Sequence, residues 1–320
     1  MPEADAVVMP GRRGANLLPI GATYKAWEAF VEGYLPLVEA KPGFETLALE
    51  LGYRFSEFNP QGHTDSWKAG VTWEPVPSLR FRYMEQQAVR VPNVSEIGSP
   101  ITTGLENAGF DPCSNGNPNP PAPGSMLHTL CIQTGVPAGF VGLIDDIVSG
   151  QVDTFEGTDP NNLPGPETAR TRTIGLVWQP DLGGMGLEPT TLSIDYYDIK
   201  IRNYIDSFSG QEALDACYVA ADPASCANVR RDPGGSLVTS GFGLVTLLRN
   251  LDFYRASGVD FALNTGYDLG AAGSLSFAFN GNLYLKNELK SSDLSELVDC
   301  KGRFGTTCDP VPTWRHTVRT

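Results

Sequence analysis

The chain has 320 residues, long enough for two ordinary soluble domains or one large β architecture. Hydrophobic residues make up 41% and charged residues 19%, which excludes a disordered chain. Its 37 acidic and 23 basic residues leave a net charge of −14, which argues against nucleic acid, whose phosphates demand a basic face. No run approaches the ~18 consecutive apolar residues of a membrane helix, a test that strands of alternating polarity evade.

Met1–Ala22 reads as irregular, with no apolar signal-peptide core over Met1–Asn16. Trp27–Leu37 is expected as a strand, with Trp27, Ala29, Val31 and Leu35 opposite Glu28, Glu32 and Tyr34. Glu39–Gly43 connects it to Phe44–Phe58. There Leu47, Leu49, Leu51, Tyr53 and Phe55 share one face, and Thr46, Ala48, Glu50, Gly52, Arg54 and Ser56 the other. One face is greasy enough for lipid and the other polar enough for water, as the wall of a transmembrane β-barrel requires. A polar loop over Asn59–Asp65 leads to a third strand, Ser66–Glu74. A fourth follows at Leu79–Val91, with Arg80 and Arg82 opposite Phe81 and Tyr83.

Pro92 to about Thr168 is a long connection rich in Pro, Gly and Asn. A short helix is expected where Phe140, Leu143, Ile144, Ile147 and Val148 keep a helical spacing. Strands are expected again at Thr171–Gln179 and Thr190–Ile205, then a loop over Asp206 to about Gly235 and a less regular strand region over Ser236–Arg255. Gly258–Leu269 and Ser274–Leu285 are strong strands joined by the turn Gly270–Gly273. A last loop covers Lys286 to about Pro312, before a strand at Trp314–Thr320. Nine or ten strands alternate between short turns and long loops, which favours an up-and-down barrel over a soluble sandwich. Trp73, Trp178, Tyr267 and Trp314 stand near strand ends, where they suit an interfacial girdle or core packing.

Six cysteines lie in three polar connections, Cys113 with Cys131, Cys217 with Cys226, and Cys300 with Cys308. Fifteen pairings are possible; position favours these local ones, as disulfides formed in an oxidising compartment, with reduced, inert cysteines as the alternative. Asp145, Asp146, Asp153, Glu156 and Asp159 form an acidic cluster, read as a solvated loop or a cation-binding surface.

The stretch Phe81–Ile97, FRYMEQQAVRVPNVSEI, resembles the barrel of TonB-dependent outer-membrane receptors, where a strand enters a large extracellular loop through an Ala-Val-Arg-x-Pro-Asn-like segment. Ala29–Leu37, Ser66–Pro75, Thr173–Pro180, Leu192–Ile205 and Ser257–Tyr267 resemble the family in the same order, covering about Gly21–Thr320. The resemblance implies a plugged barrel of about 22 strands in the bacterial outer membrane. It also implies a TonB complex as partner and a substrate such as a ferric siderophore, cobalamin or an oligosaccharide. The expected fold class is all-β: an antiparallel up-and-down transmembrane β-barrel, partial, about half of a receptor barrel. Residues 1–22 are irregular and residues 23–320 are barrel, with no plug domain, no TonB box and the C-terminal strands missing. The isolated chain is expected neither to insert nor to transport, because open sheet edges are costly in lipid.

No phosphate-binding loop or H-E-x-x-H motif occurs, and His63, His128 and His316 are isolated from metal-spaced ligands. Ser240-Gly241 lacks a nucleophile elbow, and Asn93-Val94-Ser95 is a sequon idle in bacteria. No catalytic, cofactor or metal site is expected, and the ligand-binding residues are unknown. The lumen-facing charges Glu32, Glu50, Arg54, Lys68, Arg80, Arg82 and Asp195 read as cross-strand ion pairs, or as contacts to plug and substrate. Competing readings are a non-transporting surface binding or adhesion protein with disulfide-clipped loops, and, more weakly, a β-rich glycosidase.

Overall fold

The computed structural model describes residues 18–59, 61–147, 150–293, 295–305 and 308–320. The irregular stretch expected at residues 1–22 lies mostly outside these, and residues 18–24 form no regular element. Four antiparallel strands come first: β1 (Lys25–Lys41), β2 (Phe44–Asn59), β3 (Gly62–Val76) and β4 (Leu79–Arg90). A first long excursion holds α1 (Val94–Gly98), β5 (Thr102–Asn107), α2 (Met126–Gln133) and β6 (Gln151–Glu156). The chain returns through β7 (Glu167–Trp178) and β8 (Leu187–Asp206). A second excursion holds α3 (Gly210–Tyr218), α4 (Pro223–Cys226), β9 (Val229–Arg230) and β10 (Gly243–Val245). The last strands are β11 (Arg249–Asp268), β12 (Ser274–Lys290), β13 (Val298–Asp299) and β14 (Trp314–Arg319).

Ten strands make one antiparallel sheet in the order β1-β2-β3-β4-β7-β8-β11-β12-β13, with β14 also pairing β12. The sheet is open, because β1 pairs only with β2 among the described residues. Four short connections, Pro42-Gly43, Pro77-Ser78, 179–186 and 269–273, lie at one end; the tight join of β2 to β3, both excursions and the third disulfide loop lie at the other.

The pleat sorts side chains as the sequence predicts. Leu49, Val71, Tyr83, Ile174, Tyr196, Val259 and Leu283 form one continuous cross-strand row on the outer face. The apolar belt they belong to drifts along the strands, centred near Phe279 on β12 and near Leu51 on β2. That is a displacement of about 20 Å across six strand spacings of about 4.8 Å, a slope of about 35°. Barrel strands tilt by that amount. Trp73 and Phe81 stack at the short-turn end, and Trp314 stacks on Phe279 nearer the loop end.

The two excursions are not the irregular loops that composition suggests. Together they fold into a cap around a four-stranded sheet, β5-β6-β10-β9. Here β6 of the first excursion pairs in parallel with β10 of the second. The principal buried apolar cluster lies in this cap, and includes Leu130, Val136, Val152, Leu214, Leu237 and Leu244. Gly243 fits because it has φ +139° and because a Cβ there would lie 1.9 Å from the Asp153 carbonyl oxygen.

The helix expected over 140–148 does not form: a single 3-10 turn, Ala138–Phe140, ends there. Gly142 takes a positive φ of 78° and breaks the run, while Ile144 and Ile147 are buried as separate loop anchors; Val148 lies outside the described residues. The helix forms instead at α2, where the Ser125 hydroxyl caps the His128 N–H. The expected Asp206–Gly235 loop contains α3 and α4. A Ser209/Glu212 capping box starts the first, and an Asp222 cap with Pro223 in the first turn starts the second. The region 236–255 divides into β10 and the first, loop-side residues of β11, and β1 runs on through Lys41.

Candidate functional site

The concave face of the sheet is polar. Lys68 Nζ donates to Glu50 at 2.8 Å and lies 3.1 Å from Glu32, while Arg54 lies 3.9 Å from Glu28. Arg80 pairs with Glu74, and Arg82 bonds Asp195 at 2.8 Å. All seven lumen charges expected from the sequence therefore share this face, in cross-strand pairs. Partly exposed pairs of this kind contribute about 0–1 kcal/mol each, so they brace the wall rather than stabilise it strongly. Beside them lies a groove of about 730 Å³, lined by Arg82, Asp195, Tyr197, Asp260, Asn282 and Arg315. Asp195 and Asp260 stand directly opposite each other. Ser193 donates to the first at 2.6 Å and Asn282 to the second at 2.6 Å. Two carboxylates, two guanidiniums, a carboxamide and a phenol on one wall can hydrogen-bond a polar solute.

At the loop end, Arg90 holds the neck of the first excursion. It bonds Glu96 ahead of it at 2.7 and 3.0 Å and Glu167 across the strand pair at 2.7 Å. Asn93 and Glu96 close a capping box on α1. Burial pushes the Glu96 carboxyl up, but Arg90 and the Asn93 N–H outweigh it and hold it below its ordinary value. The Arg-x-Pro-Asn segment, read above as a family signature, is thus a rim clamp, and the sequon asparagine is a helix cap.

Disulfides join Cys113 to Cys131, Cys217 to Cys226 and Cys300 to Cys308. The first two lie within the cap. Between the two excursions runs an ion pair that sequence reading missed. Arg231 meets Asp111 in a bidentate pair at 2.5 and 2.7 Å, with side chains 0% and 1% exposed. Arg231 also donates to the Gly235 carbonyl at 2.8 Å and to the Tyr218 hydroxyl at 3.0 Å. Burial works against the arginine's charge, yet Asp111 and Tyr218 raise its pKa; burial pushes the Tyr218 phenol up. No local motif marks residues 120 apart as partners; only an Arg and an Asp set among apolar and Gly-Pro-rich neighbours hinted at it.

The acidic cluster is dispersed. Asp146 accepts from the Asp111 N–H and the Ser114 hydroxyl, Asp159 from the Asn161 N–H, and Asp153 is buried in β6. Among the described residues no group of three or more His, Cys, Asp or Glu could hold a metal. His63 stacks on Phe55, His128 lies on α2 and His316 stacks on Phe279, far apart in the fold.

The family model for the TonB dependent receptor-like β-barrel matches residues 7–315. No curated protein matches the sequence. Similar solved structures include the siderophore receptor PirA from Acinetobacter baumannii (13% identity, 84% of this chain and 29% of that chain, TM-score 0.47). A variant of the ferric enterobactin receptor PfeA from Pseudomonas aeruginosa, in complex with enterobactin, is similar at 13% identity, over 83% of this chain and 28% of that one, with TM-score 0.48. A double mutant of the Serratia marcescens hemophore receptor HasR, in complex with its hemophore HasA and heme, is similar at 17%, over 83% and 42%, with TM-score 0.32. The chain thus spans well under half the length of these structures. With a family match over nearly its whole length, and an open antiparallel sheet greasy outside and polar inside, the chain belongs to the TonB-dependent receptor β-barrel family.

Proposed function

We propose that these residues form part of the wall and the extracellular cap of an outer-membrane receptor for TonB-dependent active uptake of a small molecule. The supporting observation is the two-faced sheet: an apolar belt on one side, an ion-paired polar face on the other, and a folded cap over one end. The long-loop end faces outward and the short-turn end the periplasm. The oxidising setting of the cap suits its disulfides. The remaining strands, beyond residues 23–320, close the wall to the roughly 22 strands of such transporters, and a plug domain couples it to the TonB complex. The substrate class is a ferric siderophore, cobalamin or an oligosaccharide, with the ferric siderophore as first choice. The role is transport and binding rather than catalysis.

The test is uptake of radioiron-loaded siderophores by cells whose only receptor is the full-length protein, with and without a working TonB complex. TonB-dependent accumulation is expected. Substrate binding without accumulation in energised cells supports instead a non-transporting surface binding protein, the reading to which the self-contained core of the cap lends weight.

A further inference from the structure

Beyond the apolar belt, the outer face of the sheet turns basic. Arg170 on β7 stands directly opposite Lys200 on β8, and Lys200 directly opposite Arg255 on β11. Three cations thus occupy one cross-strand row, on the face that carries Ile174, Tyr196 and Val259 lower down. Arg172 and Arg202 flank the row and line the same shallow groove of about 480 Å³. Acidic neighbours offset only part of this charge. Arg172 bonds Glu85 at 3.1 Å and Arg255 bonds Asp198 at 2.8 Å, and Glu288 lies 3.7 Å from Arg255. Lys200 lies over the Phe253 ring at 3.7 Å. Arg170, Lys200 and Arg202 make no ion pair among the described residues. Like charges set directly opposite in a ladder are destabilising, and here they are concentrated in a protein of net charge −14.

Their height decides what they meet. With ~3.3 Å per residue and the slope derived above, Arg170, Lys200 and Arg255 stand roughly 14–19 Å above the midline of the belt. The apolar band of an outer-membrane barrel is about 25 Å tall, so its edge lies about 12 Å from the midline. The row falls just outside the hydrocarbon, at headgroup level and facing away from the lumen. A solute in transit does not pass there.

We propose that this row binds the phosphate groups of anionic lipids in the leaflet on the long-loop side. Guanidinium forks at Arg170 and Arg202 suit bidentate phosphate contacts, and Lys200 supplies a point charge between them. A bound phosphate offsets the like-charge repulsion across β7, β8 and β11 and fixes the height of the barrel in the bilayer. The inference rests on the membrane-barrel reading of the outer face.

The test uses the full-length receptor in phosphatidylcholine nanodiscs with and without phosphatidic acid, with lipid binding read by native mass spectrometry. Heat-modifiable migration serves as an independent check that the barrel has inserted. The wild type is expected to retain phosphatidic acid over phosphatidylcholine. A cation near a charged bilayer contributes about a five-fold effect. Arg170→Gln, Lys200→Gln and Arg202→Gln combined should therefore weaken retention roughly a hundred-fold, and high salt should weaken the wild type. Arg82→Gln on the concave face should leave retention unchanged. An inserted wild type without preference, or an inserted triple variant that retains phosphatidic acid as well as the wild type, overturns the proposal and leaves the barrel reading intact. Full competition by millimolar inorganic phosphate also overturns it, since the site then takes free phosphate. Failure of the wild type to insert overturns the barrel reading and this proposal with it.

Discussion

Removing the Asp111 carboxylate strands Arg231 as a buried cation without its counter-charge. Breaking a buried pair by deleting one partner costs about 3–5 kcal/mol. The Gly235 carbonyl and the Tyr218 hydroxyl still accept from the guanidinium, so the lower half of that range, about 3–4 kcal/mol, is expected for Asp111→Ala. Each factor of ten in an equilibrium is about 1.4 kcal/mol, which makes local opening of the cap some two to three orders of magnitude more frequent. Amide hydrogen exchange on the full-length protein in outer-membrane vesicles reads this directly. Protection should fall by 100- to 1,000-fold in α2 and α3, while β2 and β8 stay unchanged. A double variant, Asp111→Leu with Arg231→Met, removes both charges and should recover most of the loss, because well-packed apolar replacements of buried pairs are near neutral. Unchanged protection in Asp111→Ala refutes the reasoning. A double variant as exposed as the single one does so too, since the damage then lies in packing rather than in charge.

Four further outcomes are expected. Replacing Cys113 and Cys131 by serine should lower cap stability by about 3 kcal/mol, from the entropy of an 18-residue loop. Deleting 113–131 in the full-length receptor should abolish ligand binding while sparing assembly, and unchanged uptake would remove this loop from the mechanism. Burial raises the carboxyl pKa values of Glu106 and Asp215, so the folded cap holds their protons more tightly than the unfolded chain does, and their contribution is lost as pH rises. Glu96, Asp222 and Asp232 are held low, and theirs is lost as pH falls below about 4. The urea midpoint of the cap should therefore be higher at mildly acidic pH than at pH 7.5, and a midpoint that rises steadily towards alkaline pH contradicts this. Ile174→Arg, on the outer face, should impair bilayer insertion by about 2–4 kcal/mol if it sits near the bilayer centre and less towards the interface; Thr173→Arg, one residue earlier and facing the lumen, should be tolerated. An equal effect of the two would mean that the faces are assigned wrongly.

The wall was legible in the sequence and the cap was not. Period-two alternation over Leu47–Phe55 and Leu192–Tyr197 places each side chain on a definite face, because a strand has only two faces and lipid punishes errors on one of them. The lumen charges followed from the same parity. The cap depends on contacts between residues about 100 positions apart, such as the pairing of β6 with β10 and of Asp111 with Arg231, and local pattern carries no trace of these. Its helices did leave marks, Ser209 with Glu212 and Asp222 with Pro223. Gly and Pro content hid them, because those residues serve sharp turns inside a packed unit as readily as they serve an irregular loop. The 140–148 spacing misled because residues that anchor a winding loop to a core can recur at intervals of three or four without any helix between them.

The parallel pairing of β6 with β10 makes the two excursions a single inheritance. Neither carries a complete core, and each supplies strands and half of the Arg231–Asp111 pair to the other. A change of length or composition in one must be answered in the other. Recombination between related receptors that exchanges only one loop would join mismatched halves. The cap can therefore diversify at exposed positions such as Met126, Phe140 and Val219, whereas its fold can be transplanted only by moving residues 91–166 and 207–248 together.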